Sequence, residues 1–387
     1  MMLDLSDYMI TAERGFLTPY DMGAVQLPEQ FDDLVSTALC LPQIIPTGRT
    51  RAFLNDIPEA PTAAIDSLDP AQQQKLMVHL SFLVQAYVWG EQAPPAALPR
   101  NLAVPIVHLA DITGQFPLLP YASYTLDNWA RHDSNGPIAL DNIYVLQNFL
   151  GGQDENWFIL VHVEIEAKAG AALAAIPDVL THAKTRDETG LEKALETIRH
   201  AWTHINPIFD RMTERCDPAT YYLRVRPYIH GWKDNPALPD GLIYEGVDAY
   251  GGSGQLFRGQ TGSQSSIVPA MDALCQVRHG RDDFRAYLDD LHQYRPPGHR
   301  RFIEDIQAKS ELRTAITELD APHLKDLYNA ILDQVAAFRT RHLEYAATYI
   351  NKQARSATGN PTDIGTGGTP FMAYLKKHRD ETDRHKL

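Results

Sequence analysis

The run from His323 to Gln353 constrains the fold more than any other stretch of the chain. It follows Pro322, and Leu324, Leu327, Ile331, Val335, Phe338, His342, Tyr345 and Tyr349 recur along it at steps of three or four. That spacing keeps one helical face apolar throughout, so it predicts a long helix with a continuous buried stripe. His342 stands on that stripe. A core histidine bonded to a nearby carbonyl is the commoner reading of such a residue, and a metal or haem ligand is the rarer one. A neutral imidazole in an apolar pocket is what a haem iron requires of its proximal side. Arg339, one turn earlier, is placed to pair with an acid or with an anionic cofactor group.

The rest of the chain supplies helical partners. Asp69 and Pro70 form a start signal, a capping residue followed by proline at the first helical position, and the helix they open runs to Gly90. Further helices are expected over 121–131, 137–150, 157–184, 189–211, 267–277 and 282–294. Residues 1–66 read as loops with short helices. Glycine and serine concentrate only in 251–266 and 359–368, and no alternation is long enough for a sheet. The fold class expected is all-α. The proline-rich connector after Gln92 places a boundary between about 95 and 120, giving a small N-terminal helical domain, 1–115, and a large helical domain, 116–387.

Charge and cysteine usage narrow the setting. With 35 basic and 49 acidic side chains the net charge is −14, which repels phosphate backbones and anionic lipid, so neither nucleic acid nor membrane is expected as a partner. Cys40, Cys216 and Cys275 lie far apart without a CxxC pair, which suits a reducing compartment. The first residues carry acids where a secretory leader needs basic and apolar runs, and a cytoplasmic protein is expected.

Three other stretches could carry chemistry. Tyr221 and Tyr222 precede Arg224 and Arg226 in an aromatic-rich segment ending at Trp232. An arginine beside an apolar pocket can hold a carboxylate bidentately, although a surface arginine among packing tyrosines is an equal reading. The segment Gly365-Thr366-Gly367-Gly368-Thr369 lacks the lysine of a phosphate loop and reads as a loop able to fold over a ligand, or as a plain linker. His162 lies in an apolar stretch, where a satisfied core histidine is the commoner outcome. Glu164 and Glu166 are two residues apart and are not expected to share its face as i, i+4 ligands would, so a non-haem metal site is discounted.

Taken together, several blocks in order resemble the indoleamine 2,3-dioxygenase family. They are Ala86-Tyr87-Val88-Trp89-Gly90, Leu98-Pro99-Arg100-Asn101-Leu102-Ala103-Val104-Pro105, Tyr121-Ala122 with Asn128-Trp129, Gly231-Trp232-Lys233-Asp234-Asn235-Pro236, Asp240-Gly241-Leu242-Ile243-Tyr244-Glu245-Gly246, Gln264-Ser265-Ser266, Tyr294-Arg295-Pro296-Pro297-Gly298-His299-Arg300, Arg341-His342-Leu343 and Gly365-Thr366-Gly367-Gly368-Thr369. The resemblance runs from about residue 85 onward and implies an all-α protein whose large helical bundle encloses b-type haem. By match, His342 would be the proximal iron ligand, with Asp272 and Arg339 as a supporting ion pair. Arg226 would bind the substrate carboxylate, and Thr366 would approach its ammonium. Tyr121, Phe158 and Tyr221 would wall the indole pocket, and Gly262 would lie in the loop above the haem.

Two departures touch the pocket. The family's animal members carry two phenylalanines at Tyr221 and Tyr222, and a serine at the position of His162 when Glu166, Ile176 and Pro177 set the register. A register on residues 163–165 would put Leu160 there instead. With His162 in place, the distal side resembles the related tryptophan 2,3-dioxygenases, and the histidine would orient the indole N–H. The activity implied is cleavage of the indole C2–C3 bond of L-tryptophan or a related indoleamine by O2, giving an N-formylkynurenine-type product of the kynurenine pathway. An electron donor of unknown identity would keep the iron ferrous. A haem monooxygenase on the same scaffold, or a non-catalytic haem or amino-acid sensor, is the alternative.

Overall fold

The computed structural model describes residues 3–280, 283–354 and 371–387. Its principal helices are α1 (Pro70–Trp89), α2 (Arg100–Thr113), α3 (Gln153–Thr185), α4 (Glu188–Asp210), α5 (Ile267–Leu274), α6 (Asp283–His292), α7 (Pro297–Lys309), α8 (Leu312–Leu319), α9 (Pro322–Ala346) and α10 (Phe371–Asp383). The all-α expectation holds. Strands among the described residues are two short pairs: β1 (Ala97–Leu98) runs parallel to β4 (Ile243–Tyr244), and β2 (Trp129–Arg131) antiparallel to β3 (Ile143–Val145). At two or three residues each, they are too short for side-chain alternation to announce them.

Local chemistry explains the helix boundaries. Asp69 accepts from the Gln72 N–H at 2.9 Å, while the Gln72 side chain accepts from the Asp69 N–H at 3.1 Å, so a reciprocal cap opens α1. Its residues from Leu76 to Val88 are all buried, which makes α1 a core helix with no solvent face. In α3, alanines and Gly170 allow close approach of neighbouring backbone, and the helix stops where Arg186 turns left-handed at φ 57°. α3 packs along α4, α4 along α9, and α9 along α10; on the expected stripe, Leu324, Ile331, Val335 and Tyr349 are buried while Leu327, Phe338, His342 and Tyr345 are half-buried. Beyond Ala346 the backbone continues as a π turn, Ala347–Asn351.

Two expected helices are absent. The 121–131 stretch is a π turn (Ala122–Leu126) followed by β2, and 137–150 holds turns and β3. Asn142 is one reason: its side chain donates to the carbonyls of Asp133 and Pro137, both at 2.9 Å, and accepts from the Asp133 N–H at 2.9 Å. Those bonds offer the backbone a turn in place of a helix. Conversely, α2, α7, α8 and α10 were not expected. Pro105 sits inside α2 and removes one rung of its ladder, which masks the helix from a pattern reading.

The amino-terminal segment is stitched to distant parts of the chain. A Cβ on Gly15, which adopts φ +59°, would come within 2.2 Å of the Glu166 carbonyl oxygen, and one on Gly170 within 2.4 Å of the Ala12 carbonyl oxygen. Backbone therefore meets backbone on α3. Tyr8 packs on Phe302 of α7 with ring centroids 5.2 Å apart, and its hydroxyl donates to Asp305.

Candidate functional site

A cavity of about 540 Å³ lies among α3, α4, α5, α6, α7, α9 and α10 and the loops on either side of α5. His162 reaches it from α3 and His342 from α9. Tyr121, Gly262, Asp272 and Arg339 also line it, so the cavity collects six of the residues singled out in the sequence. Phe158 and Tyr221 stand behind His162: the Phe158 ring is 4.7 Å from His162 and 4.7 Å from Tyr221. Arg226 is fully buried, with its guanidinium carbon 5.6 Å from the Tyr222 ring centre, and is not part of the cavity lining. Thr366 and the 365–369 loop lie outside the described residues.

The two histidines differ in their bonding. His162 Nδ1 lies 2.7 Å from the Phe158 carbonyl oxygen. A carbonyl only accepts, so Nδ1 carries the proton and Nε2 keeps its lone pair. Burial lowers the His162 pKa, which keeps the ring neutral. His342 is pushed down to about 4 by burial, with the nearby His162 adding to the effect. Neither nitrogen of His342 has a hydrogen-bond partner among the described residues. Phe209 of α4 packs against both rings, with centroids 6.2 Å from His162 and 6.4 Å from His342. Leu160, by contrast, is not among the lining residues.

The expected separation of Glu166 from His162 is corrected here. The two are four residues apart on α3 and both line the cavity. Glu164, two residues away from each, turns instead to the Leu140 N–H at 3.0 Å. Glu166 accepts from Tyr121 Oη at 3.0 Å and Ser265 Oγ at 2.7 Å. Burial raises its pKa to about 7, against the lowering effect of those hydrogen bonds and of Arg295. Arg295 is lowered to about 10 by burial and donates to the carbonyls of Ser263 at 2.8 Å and Ser265 at 3.2 Å. Gln264 accepts from the Tyr121 N–H at 2.8 Å and donates to the Gly259 carbonyl at 3.1 Å. The loop bearing Gly262 is thereby fixed from both sides. A Cβ on Gly262 would have no protein atom within 4 Å, so a side chain there would enter the cavity.

Beside His342, Arg339 Nη2 donates to Asp272 Oδ2 at 2.6 Å, which gives the expected ion pair. Burial alone would raise the Asp272 pKa. The Arg339 charge and the hydrogen bonds from His279 and Arg339 outweigh it and hold the carboxyl well below its usual range. Sequence reasoning missed Phe209, Glu166, Arg295 and His279. Glu166 had a readable signal, an acid on a core-facing position four residues from a histidine. Arg295 and His279 had none, because they meet the site through loops.

These residues fit a haem. An imidazole without a hydrogen-bond partner among the described residues suits an iron ligand, Phe209, Phe338, Ile267 and Val268 give the cavity an apolar side, and Gly262 leaves room where a side chain would intrude. The sequence model of the family described as indoleamine 2,3-dioxygenase matches residues 4–385. The chain is 33% identical to indoleamine 2,3-dioxygenase 1 of Rattus norvegicus, covering 99% of this chain and 96% of the relative. Its identity to indoleamine 2,3-dioxygenase 2 of Homo sapiens is 32%, covering 98% and 95%. To indoleamine 2,3-dioxygenase of Saccharomyces cerevisiae it is 28%, covering 78% and 76%.

Proposed function

The chain belongs to the indoleamine 2,3-dioxygenase family, and from that premise we propose that it holds b-type haem on His342 and opens the indole ring of L-tryptophan or a close relative. The family is haem-dependent, and the chain is an enzyme of that kind. Haem, when bound, supplies ferrous iron at which O2 is activated for insertion across the indole C2–C3 bond, so that both oxygen atoms end in the product. For L-tryptophan that product is N-formylkynurenine. An external electron donor keeps the iron reduced. The observation that carries the reading is the pair of histidines facing one cavity, one with a protein-fixed tautomer and one whose ring nitrogens are not engaged by the described protein.

The protein's part is orientation. His162 Nε2, held by the bond from Nδ1 to the Phe158 carbonyl, accepts the indole N–H. Indole is electron-rich, so no strong base is needed, and a neutral imidazole is sufficient. Tyr121 walls the ring from the cavity lining, and Phe158 and Tyr221 back His162 from behind. By the family match Arg226, buried outside the described cavity lining, would take the carboxylate, and Thr366 would approach the ammonium. Arg339 and Asp272 brace the helix that carries His342. The residues lining the cavity all lie beyond residue 115, which supports assigning 1–115 to a small domain and 116–387 to the haem-binding one. No helix among the described residues is long and apolar enough to cross a membrane, and the three cysteines are free, in keeping with a cytoplasmic enzyme.

The test is the visible spectrum of the purified protein, followed by product mass after adding tryptophan under labelled O2. A haem spectrum and a product carrying two labelled atoms are expected. One labelled atom would make the enzyme a monooxygenase, and ligand binding without turnover would make it a sensor.

A further inference from the structure

The ion pair beside His342 belongs to a closed ring of five side chains. Asp272 Oδ2 takes Arg339 Nη2 at 2.6 Å and His279 Nε2 at 3.1 Å. The other nitrogen of His279 lies 2.7 Å from Glu381 Oε2. Both acceptors are carboxylates, so only the doubly protonated ring donates to both at once. Glu381 precedes Thr382, whose Oγ1 accepts from Arg339 Nη1 and closes the ring. The Thr382 hydroxyl gives its own proton to the His378 carbonyl at 2.9 Å, which leaves its lone pairs for the arginine. Glu381 Oε1 accepts the Gly280 N–H at 3.3 Å and has Lys377 Nζ at 3.6 Å.

His279, His378 and Glu381 also lie close enough together to suggest a metal site. The arrangement argues against one. The His279 and His378 rings stack at 3.9 Å and 10°, so their nitrogens point alongside each other and do not converge on one point. Both nitrogens of His279 are already committed to carboxylates. The cluster is built as a hydrogen-bonded brace.

We propose that α10 is a positioning element for His342, with Glu381 acting through His279, and Thr382 acting directly, to fix the Asp272–Arg339 pair and so the placement of α9. This rests on the reading of His342 as the haem ligand. Arg339 and His342 are three residues apart on one rigid helix, so a shift of the first moves the second. Buried charges do not exchange their partners for water cheaply, which leaves the ring one favoured arrangement. The proline and glycine segments of the sequence give no hint of this, because the partners come from α5, the loop after it, α9 and α10.

The experiment uses the holoenzyme and measures the rate of haem transfer to excess apomyoglobin, together with the ferric–ferrous midpoint potential. Glu381→Gln and Thr382→Val are each expected to speed haem loss by about 10-fold, as loss of a partner behind a metal ligand commonly does, and to shift the potential. Thr382→Ser keeps the hydroxyl and is expected to restore wild-type values. Lys386→Ala is the control. Lys386 pairs with Asp333 at 2.5 Å and Asp383 at 3.2 Å, tying down the same end of the chain without touching the ring. It is expected to leave both readouts unchanged. Wild-type values in Glu381→Gln and Thr382→Val, or equal effects from Lys386→Ala, would overturn the proposal. If Glu381→Gln does not fold, the Thr382 valine–serine pair decides. A His342→Ala protein with an unchanged haem spectrum would instead remove the ligand reading beneath it, a result distinguishable from failure of the brace alone.

Discussion

His162 and His342 face one cavity from two long helices, yet the protein holds them by opposite means. The distal ring is fixed at its own nitrogen, by a carbonyl one turn back on the same helix, and is backed by Phe158 and Tyr221. The ring of His342 is left to itself, while its helix is fixed by charge at Arg339. A group that must aim a hydrogen bond needs its tautomer and rotation set in advance. A group that must bind a metal needs an uncommitted lone pair and a rigid support. The contrast therefore divides the two roles without reference to any bound molecule.

The largest test of that division is His342→Ala. Haem retention is expected to collapse while the far-ultraviolet circular dichroism stays helical, since the residue holds no protein hydrogen bond among the described residues. An unchanged absorption spectrum would break the comparison at its proximal half.

Arg226→Ala is next. It is expected to weaken amino-acid binding by about 2–5 kcal/mol, as truncating one partner of a desolvated charge pair does, with haem content near normal. Equilibrium titration with L-tryptophan and with an indole lacking a carboxylate checks it, the second being nearly indifferent. Wild-type efficiency with tryptophan would move the carboxylate contact elsewhere.

Glu166 sharpens the distal half through pH. Burial raises its folded pKa to about 7 from an ordinary 4.5. Its protonated form is favoured by folding, so the contribution is complete below the unfolded value and is lost as pH rises through about 7. Glu166→Gln keeps the site neutral and is expected to flatten that fall, by on the order of 1–3 kcal/mol. Urea unfolding of both apo-proteins on either side of the window measures it, and parallel curves would count against a buried neutral acid.

His162→Ser should have the smallest effect and the most selective one. Losing a neutral hydrogen bond costs roughly 0.5–1.5 kcal/mol, and only for a substrate that has the N–H. Efficiency is therefore expected to fall more with tryptophan than with 1-methyltryptophan. Equal losses would make His162 a packing residue and end the distal half of the comparison.

The proximal half was the more legible in the sequence. His342 lies on an unbroken three-and-four stripe, and Arg339 is one turn away on the same helix, so periodicity alone put them side by side. The distal half was obscured by π turns. Tyr121 directly precedes one, Ala122–Leu126, and Tyr221 opens another, Tyr221–Val225, so their directions do not follow the 3.6-residue period that a pattern reading assumes. Tyr221 also packs on Tyr349, in the π turn that continues α9. The brace behind His342 was not readable at all. Asp272 and Glu381 are more than a hundred residues apart, and only packing brings them onto the same imidazole.

The backbone contact between Ala12–Gly15 and Glu166–Gly170 has a consequence for the order in which the molecule assembles. The backbone of residues 12–15 cannot make its closest contact until α3 is made, and Tyr8 has no partner on Phe302 until α7 follows. During synthesis this early segment must therefore wait for contacts separated from it by much of the chain, and such distant pairings form slowly. Once docked, it lies against the turn of α3 that carries Glu166. Residues that emerge well before α3 thus become a late clasp on the cavity wall, and refolding experiments should find their protection from hydrogen exchange arriving after that of α3.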